Sequence, residues 1–292
     1  MKNWKVYTAL TFAIIFWGFS FAGTRYCLNI LHPIWLVFFR LSISVIFLFA
    51  LMLITRSFRK IAKEDIKYFF LLALLEPLIY FMGETYGIRL VSSLISSVII
   101  ATIPLFVAIG GIVFLKKKPG WQILTGIVLS MTGVSLLVVR PDMSFSASPA
   151  GIMLLFVAVF SAVGYTLIVY RLVKKYSPLE IIAWENFIGI ILFVPFLFFN
   201  DPVSLPASDY SLAVIIIVLL GIFPSSLSYM FFNWGVKVLG VNRASIFTNA
   251  IPVVTAVLAY FWLKEEITWQ NLLGMFIVIS SLTFTQITSG EK

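Results

Sequence analysis

Ala101-Thr-Ile-Pro104, Leu115-Lys-Lys-Lys118 and Gly120-Trp-Gln-Ile-Leu-Thr-Gly126 recur later as Asn249-Ala-Ile-Pro252, Leu263-Lys-Glu-Glu266 and Thr268-Trp-Gln-Asn-Leu-Leu-Gly274. The offset is a constant 148 residues at Pro104 and Pro252, Lys116 and Lys264, Trp121 and Trp269, and Gly126 and Gly274. Both copies lie in apolar stretches of membrane-spanning length. A duplicated unit of that kind points to a transporter.

Composition identifies the solvent. Hydrophobic residues make up 61% of the 292 positions and charged residues 11%, far from the balance of a soluble domain. Counting from one charge cluster to the next gives ten apolar runs, at about 7–30, 34–55, 67–88, 92–115, 120–139, 150–171, 179–199, 210–235, 241–262 and 267–288. Each has the roughly 20 residues that a helix needs to cross the hydrocarbon core while satisfying its own backbone hydrogen bonds. The expected fold is therefore an all-α polytopic membrane protein. The breaks near Asp142–Pro149 and Asp201–Asp209 read as turns. The first run is too long for a signal h-region and has a counterpart in the second half, so it reads as a span.

Placing the N-terminus in the cytoplasm puts 16 of the 21 Lys and Arg residues on the inner side. Arg25, Arg89, Arg140 and Lys264 fall outside, and Arg40 lies within a span. This bias predicts that both termini are cytoplasmic. The net charge of +9 is spread over short inner turns, which argues against nucleic acid and for anionic lipid headgroups as neighbours.

Ten spans and a half-chain repeat give five helices per half, residues 1–142 and 148–290. Because five is odd, the second copy enters the membrane from the opposite side, and an inverted repeat predicts alternating access. The Lys116–Lys118 turn is then cytoplasmic, and its counterpart at Lys264–Glu266 is external. In the earlier helices the offset is 145, which aligns Pro33 with Pro178 and Arg40 with Glu185.

Phe16-Trp-Gly-Phe-Ser-Phe21 in the first span, Arg40 in the second, the Ile-Pro of the fourth and ninth, and Leu263-Lys-Glu-Glu-Ile-Thr268 before the tenth resemble the drug/metabolite transporter superfamily, EamA type. The resemblance covers the whole chain. It implies a ten-helix carrier of the inner membrane that moves small metabolites, often outward, through a central cavity between two halves. One departure is Lys117, where the first repeat often carries an acidic residue like Glu265.

The residues themselves point to the same cavity. Arg40, Glu76, Glu84 and Glu185 lie inside apolar spans, where a charge costs about 2.5–3.5 kcal/mol on insertion scales, so they should face protein or water. Glu76, Tyr80, Glu84 and Gly87 share one helical face. Arg40 is placed either to snorkel outward or to pair with Glu84, and pairing is the favoured reading. Ser245, Asn249 and Pro252 form a polar face, with Pro104 as the counterpart of Pro252. Each of these prolines near mid-span is expected to free a backbone carbonyl.

Trp17 shares a face with Ser20, Phe21 and Thr24, and the resemblance places it near the cavity. Trp184, Glu185 and Asn186 fan over about 200°, so one or two of them should face inward. Tyr229 lies on an amphipathic face with Ser225, Ser228 and Phe232. The expected substrate-binding set is Trp17, Tyr80, Glu84, Trp184, Asn186, Tyr229, Ser245 and Asn249. The expected coupling or gating set is Arg40, Glu76, Glu185, Pro104 and Pro252.

Aromatic walls, hydroxyls, amides and a few carboxyls suit a small amphipathic solute such as an amino acid or related amine. No cofactor is expected, since His32 and Cys27 are each the only residue of their kind, and a P-loop is missing. The expected partners are a small-molecule substrate and membrane lipids, and the chain is read as a monomer. The competing reading is a membrane-embedded enzyme acting on lipid. It requires a convergent catalytic group, which the sequence does not display.

Overall fold

The computed structural model describes residues 4–115, 121–139, 147–201 and 210–289. In chain order the helices are α1 (Trp4–Cys27), α2 (Pro33–Ile54), α3 (Ile66–Ala73), α4 (Tyr80–Leu90), α5 (Ser93–Ile100), α6 (Ile103–Leu115) and α7 (Trp121–Val138). They continue as α8 (Pro149–Leu172), α9 (Pro178–Leu197), α10 (Tyr210–Ile222), α11 (Tyr229–Leu239), α12 (Val241–Thr248), α13 (Ile251–Phe261) and α14 (Trp269–Ser289). Among the described residues, eight helical stretches are long and apolar enough to cross a membrane, and Ser93–Ile109 and Trp269–Thr285 are shorter apolar ones. The chain is an all-helical, multi-pass membrane protein. The Lys116–Lys118 turn, Arg140 and most of the two long breaks lie outside the described residues.

The expected uninterrupted spans are broken near mid-length. A π-helical turn at Leu74–Ile79 joins α3 to α4, and another at Phe223–Ser228 joins α10 to α11. Each contains a proline, Pro77 or Pro224. Glu76 has extended backbone angles, φ −142° and ψ 119°, as expected for a residue preceding proline. Serine hydroxyls add bonds to carbonyls around these breaks: Ser161 donates to Leu75 O at 2.6 Å and Ser226 to Gly221 O at 2.7 Å.

Pro104 and Pro252 correct the expectation in another way. The helix stops before each of them, at turns 101–102 and 249–250, and each proline occupies the first turn of the following helix. Its missing N–H removes no bond there.

Packing is paired. α7 lies along α14, and α2 along α9. α1 contacts α11 and α13, while α8 contacts α4 and α6. α2 touches α10, and α9 touches α3. Moving seven helices along the chain maps each pairing onto another or onto itself.

Glycines set three of these approaches. A Cβ on Gly87 would meet Leu155 at 2.6 Å, and one on Gly235 would meet Leu10 at 2.6 Å. At the α7–α14 crossing, a Cβ on Gly133 would reach Gly274 O at 2.8 Å, and one on Gly274 would reach Gly133 O at 2.7 Å. These backbones are in contact, an approach that only a small residue permits.

Polarity is inverted relative to a soluble protein. Ile54, Met153, Phe198 and Phe276 point outward, while Arg40, Glu76, Glu84, Glu185, Asn186 and Asn233 are buried. Hydrocarbon accepts the former at no cost, whereas the latter need protein or water around them.

Candidate functional site

A partly open cavity, with about 830 Å³ of empty space counting its open mouth, lies where the helix breaks meet. α1 contributes Trp17, Ser20 and Phe21, α2 contributes Arg40, and the α3–α4 break with α4 contributes Glu76, Tyr80, Phe81 and Glu84. The opposite wall comes from Ala162, Tyr165 and Thr166 of α8, Tyr229 and Phe232 of α11, and Ser245, Thr248 and Ile251 of α12 and α13. Ile100, Ala101, Ile103, Pro104 and Val107 complete it.

Many lining positions are related by the sequence offsets. At 145 residues, Trp17 matches Ala162, Ser20 matches Tyr165 and Phe21 matches Thr166. At 148 residues, Phe81 matches Tyr229, Glu84 matches Phe232, Ile100 matches Thr248 and Ile103 matches Ile251. Both halves of the chain therefore build this wall from equivalent places.

The wall holds acids and a base in separate settings. Tyr80 donates to Glu84 Oε1 at 3.0 Å, and both lie on α4, one turn apart. Tyr229 donates to Glu76 Oε1, linking α11 to the α3–α4 break. Tyr165 donates to Glu185 Oε1 at 3.3 Å behind the wall. The Trp17 ring meets Tyr229 edge-on at 5.2 Å and Phe232 at 5.4 Å.

Arg40 does not form the expected pair with Glu84. Its guanidinium instead faces the hydroxyls of Thr24, Ser20 and Ser225 at 3.2–3.5 Å and the ring of Phe81 at 4.8 Å. The rotamer that reaches these α1 and α10–α11 groups lays the guanidinium over Phe81 of α4 rather than against the Glu84 carboxylate.

Of the expected residues, Trp17, Arg40, Glu76, Tyr80, Glu84, Pro104, Tyr229 and Ser245 meet at the cavity. Trp184 does not. Its indole donates to Arg59 O at 2.9 Å and packs with Phe49, Phe58 and Phe187, near the turn between α2 and α3. Asn186 is turned instead toward a helix break. Its amide donates to Ser44 Oγ at 2.8 Å and Ser225 O at 3.2 Å, so it is a brace for the α10–α11 turn.

Glu185 stands behind Tyr165. Asn249 donates to Thr283 on α14 at 3.2 Å, and Pro252 is buried beside Ile251, off the lining. The sequence reading missed Tyr165, although the offset that relates Arg40 to Glu185 also relates Ser20 to Tyr165.

At one end of the bundle, a polar latch joins the turn before α3 to the turn before α9. Lys175 Nζ lies 2.6 Å from both Glu64 and Asp65, Tyr176 donates to Asp65 at 2.7 Å, and Arg59 donates to Lys175 O at 3.1 Å. The hydrogen bond to Asp65, followed by the one to Glu64, raises the Lys175 pKa above its ordinary value. Toward the other end, Glu265 accepts from Ser93 N at 3.1 Å and Ser93 Oγ at 3.0 Å. His32 occupies the residue just before α2 without a side-chain capping bond, and burial first, then the Arg89 charge, lowers its pKa. Among the described residues, no group of three His, Cys, Asp or Glu side chains could hold a metal ion.

The family model described as the EamA-like transporter family matches residues 4–139 and again 149–286. A protein of Archaeoglobus fulgidus named an uncharacterized transporter is 30% identical over 286 residues, covering 96% of this chain and 99% of its own. The uncharacterized transporter YdfC of Bacillus subtilis is 26% identical over 98% of this chain and 92% of its own. A probable terminal-alkyne amino-acid exporter of Streptantibioticus cattleyicolor is 26% identical over 58% of this chain and 56% of its own. A solved crystal structure shares the fold with a TM-score of 0.70 at 13% identity, over 97% of this chain and 99% of that one.

Proposed function

We propose that this chain, which belongs to the EamA-like transporter family, is a secondary carrier that exports amino acids or related small amphipathic solutes by alternating access. The observation that carries the reading is the cavity wall assembled from matched positions of the two halves. A site on the axis relating two similar units can be presented to either side when the units exchange conformations, with states of similar energy. The wall brings aromatic faces, hydroxyls and both signs of charge to one place. That chemistry fits a solute with an apolar body and a polar head. The name of the Streptantibioticus relative supports amino acids as cargo and export as the direction.

On this reading ten spans form two inverted five-helix repeats, residues 1–142 and 148–290. Both termini are in the cytoplasm, and the protein works as a monomer in the inner membrane. The exchange of helix pairings between the halves supports the repeat, and the charge distribution supports the orientation. The solute crosses chemically unchanged.

Two measurements test it. In proteoliposomes, internal unlabelled solute should accelerate uptake of labelled solute. Flux without such stimulation indicates a channel, and chemical conversion of the solute indicates an enzyme. Single cysteines placed at Lys118 and at Glu266 should react with an impermeant reagent from opposite sides. Reaction from the same side removes the inversion.

A further inference from the structure

A charge enclosed by a membrane protein is stable only when something compensates it. Arg40 is 1% exposed and lies on the cavity wall. The ion pairs among the described residues are those of Lys175 with Glu64 and Asp65, so no described carboxylate lies within 4.0 Å of the guanidinium. Its neighbours are neutral hydroxyls on Ser20, Thr24 and Ser225, at 3.2–3.5 Å. Those contacts are longer than the roughly 2.7–2.9 Å of a charge-assisted bond to a carboxylate.

The acids of the wall are occupied differently. Glu84 keeps Oε1 on Tyr80 at 3.0 Å, and its buried Oε2 has no hydrogen-bond partner. Glu76 is bonded to Tyr229. The cavity thus offers a cationic fork with no described carboxylate in direct contact and, from other elements, acidic groups with no cation in direct contact.

We infer that Arg40 holds the carboxylate of the transported solute while Glu76 faces its ammonium, so that the cargo is a zwitterionic amino acid. The inference rests on the carrier reading and names its substrate class. The planar guanidinium accepts a carboxylate through parallel N–H donors, and the hydroxyls of Ser20, Thr24 and Ser225 can turn to donate to the same oxygens. Trp17, Phe21 and Phe232 leave apolar surface for the side chain. An amine without a carboxylate would leave the fork uncompensated, and a simple carboxylic acid would leave Glu76 unanswered.

The test is counterflow in proteoliposomes of the full chain. The probes are the proteinogenic amino acids, their amides, 3-methylbutylamine, 4-methylpentanoate, and a reference set of sugars and nucleosides. The expected result is exchange of at least one amino acid at no less than about ten times the rate of its amide, the size expected for losing a charge-assisted contact. Arg40→Gln should abolish that preference and Arg40→Lys should keep part of it. The wild-type comparison decides the matter even if Arg40→Gln does not fold.

Amides or 3-methylbutylamine exchanging as fast as amino acids would overturn the assignment. Exchange of 4-methylpentanoate alone would remove the role of Glu76, and exchange of sugars or nucleosides alone would remove the substrate class. In these cases the carrier reading stands. Absence of exchange with every probe counts against both.

Discussion

The two halves of the chain supply equivalent positions to one cavity and fill them with unlike chemistry. The first half places Arg40, Glu76 and Glu84 on the wall, and the second answers with Tyr165, Tyr229, Phe232, Ser245 and Thr248. At matched places Glu84 of the first half corresponds to Phe232 of the second, and Ser20 corresponds to Tyr165. Backbone approach has been kept alike while polarity has diverged. A Cβ added at Gly87 or at Gly235 would meet Leu155 or Leu10 at the same 2.6 Å. Helix packing depends on shape, which both halves need, whereas a solute with two different ends needs a wall whose two sides differ.

The strongest break of the comparison targets its shared part. Gly87→Leu and Gly235→Leu should each destabilise the bundle by about 3 kcal/mol, the upper range for overpacking, and by similar amounts. Thermal unfolding in detergent measures it, and a strongly unequal pair would separate the two interfaces.

Next comes the divergent part. Glu84→Gln should lower exchange about tenfold by removing a charge from the wall, whereas the matched Phe232→Leu should lower it less than about threefold, since it only trims apolar surface. Initial rates of counterflow distinguish them. A larger loss with Phe232→Leu would mean that shape, not charge, dominates the wall.

Tyr165→Phe removes the hydroxyl that serves Glu185 while keeping the ring. It should cost about 1 kcal/mol of stability, and the matched Ser20→Ala should be similar if each hydroxyl serves one buried charged partner. Unfolding curves of the two variants provide the check.

The smallest effect is expected at the latch joining the halves. Lys175→Gln should reduce thermal stability only slightly, because the Glu64 pair is exposed and the buried Asp65 keeps its hydrogen bond from Tyr176. The Lys175 pKa is raised in the folded protein, so its contribution is complete below the ordinary lysine value near 10.4 and disappears as pH rises through the higher folded value. The wild-type and Lys175→Gln melting curves should therefore differ by a constant amount across neutral pH.

Much of the wall was legible from one rule, that polar groups within apolar spans turn inward. Trp17, Arg40, Glu76, Tyr80, Glu84, Tyr229 and Ser245 meet as that rule predicts. It was less informative for Trp184, because an indole is satisfied equally by a cavity or by a backbone carbonyl such as Arg59 O near a helix end. Asn186 is a different case, since its amide turns toward a carbonyl exposed by the α10–α11 turn. That turn depends on Pro224 and has its counterpart at Pro77, two prolines whose effect hydropathy does not register. Hydropathy follows the average apolarity of a window, and one proline hardly changes it.

The sequence alone determined the apolar environment, the duplication at 148 residues and the set of charges that lipid would not accept. These are properties of composition and spacing, and they hold however the chain is folded. Tertiary structure decided which partner each charge takes. Arg40 and Glu84 were plausible partners by depth, yet the guanidinium turns to hydroxyls of α1 and the α10–α11 turn. Spacing fixes the level of a group along a helix, but its contacts depend on the rotation of that helix against neighbours from the other half, and only packing sets that rotation.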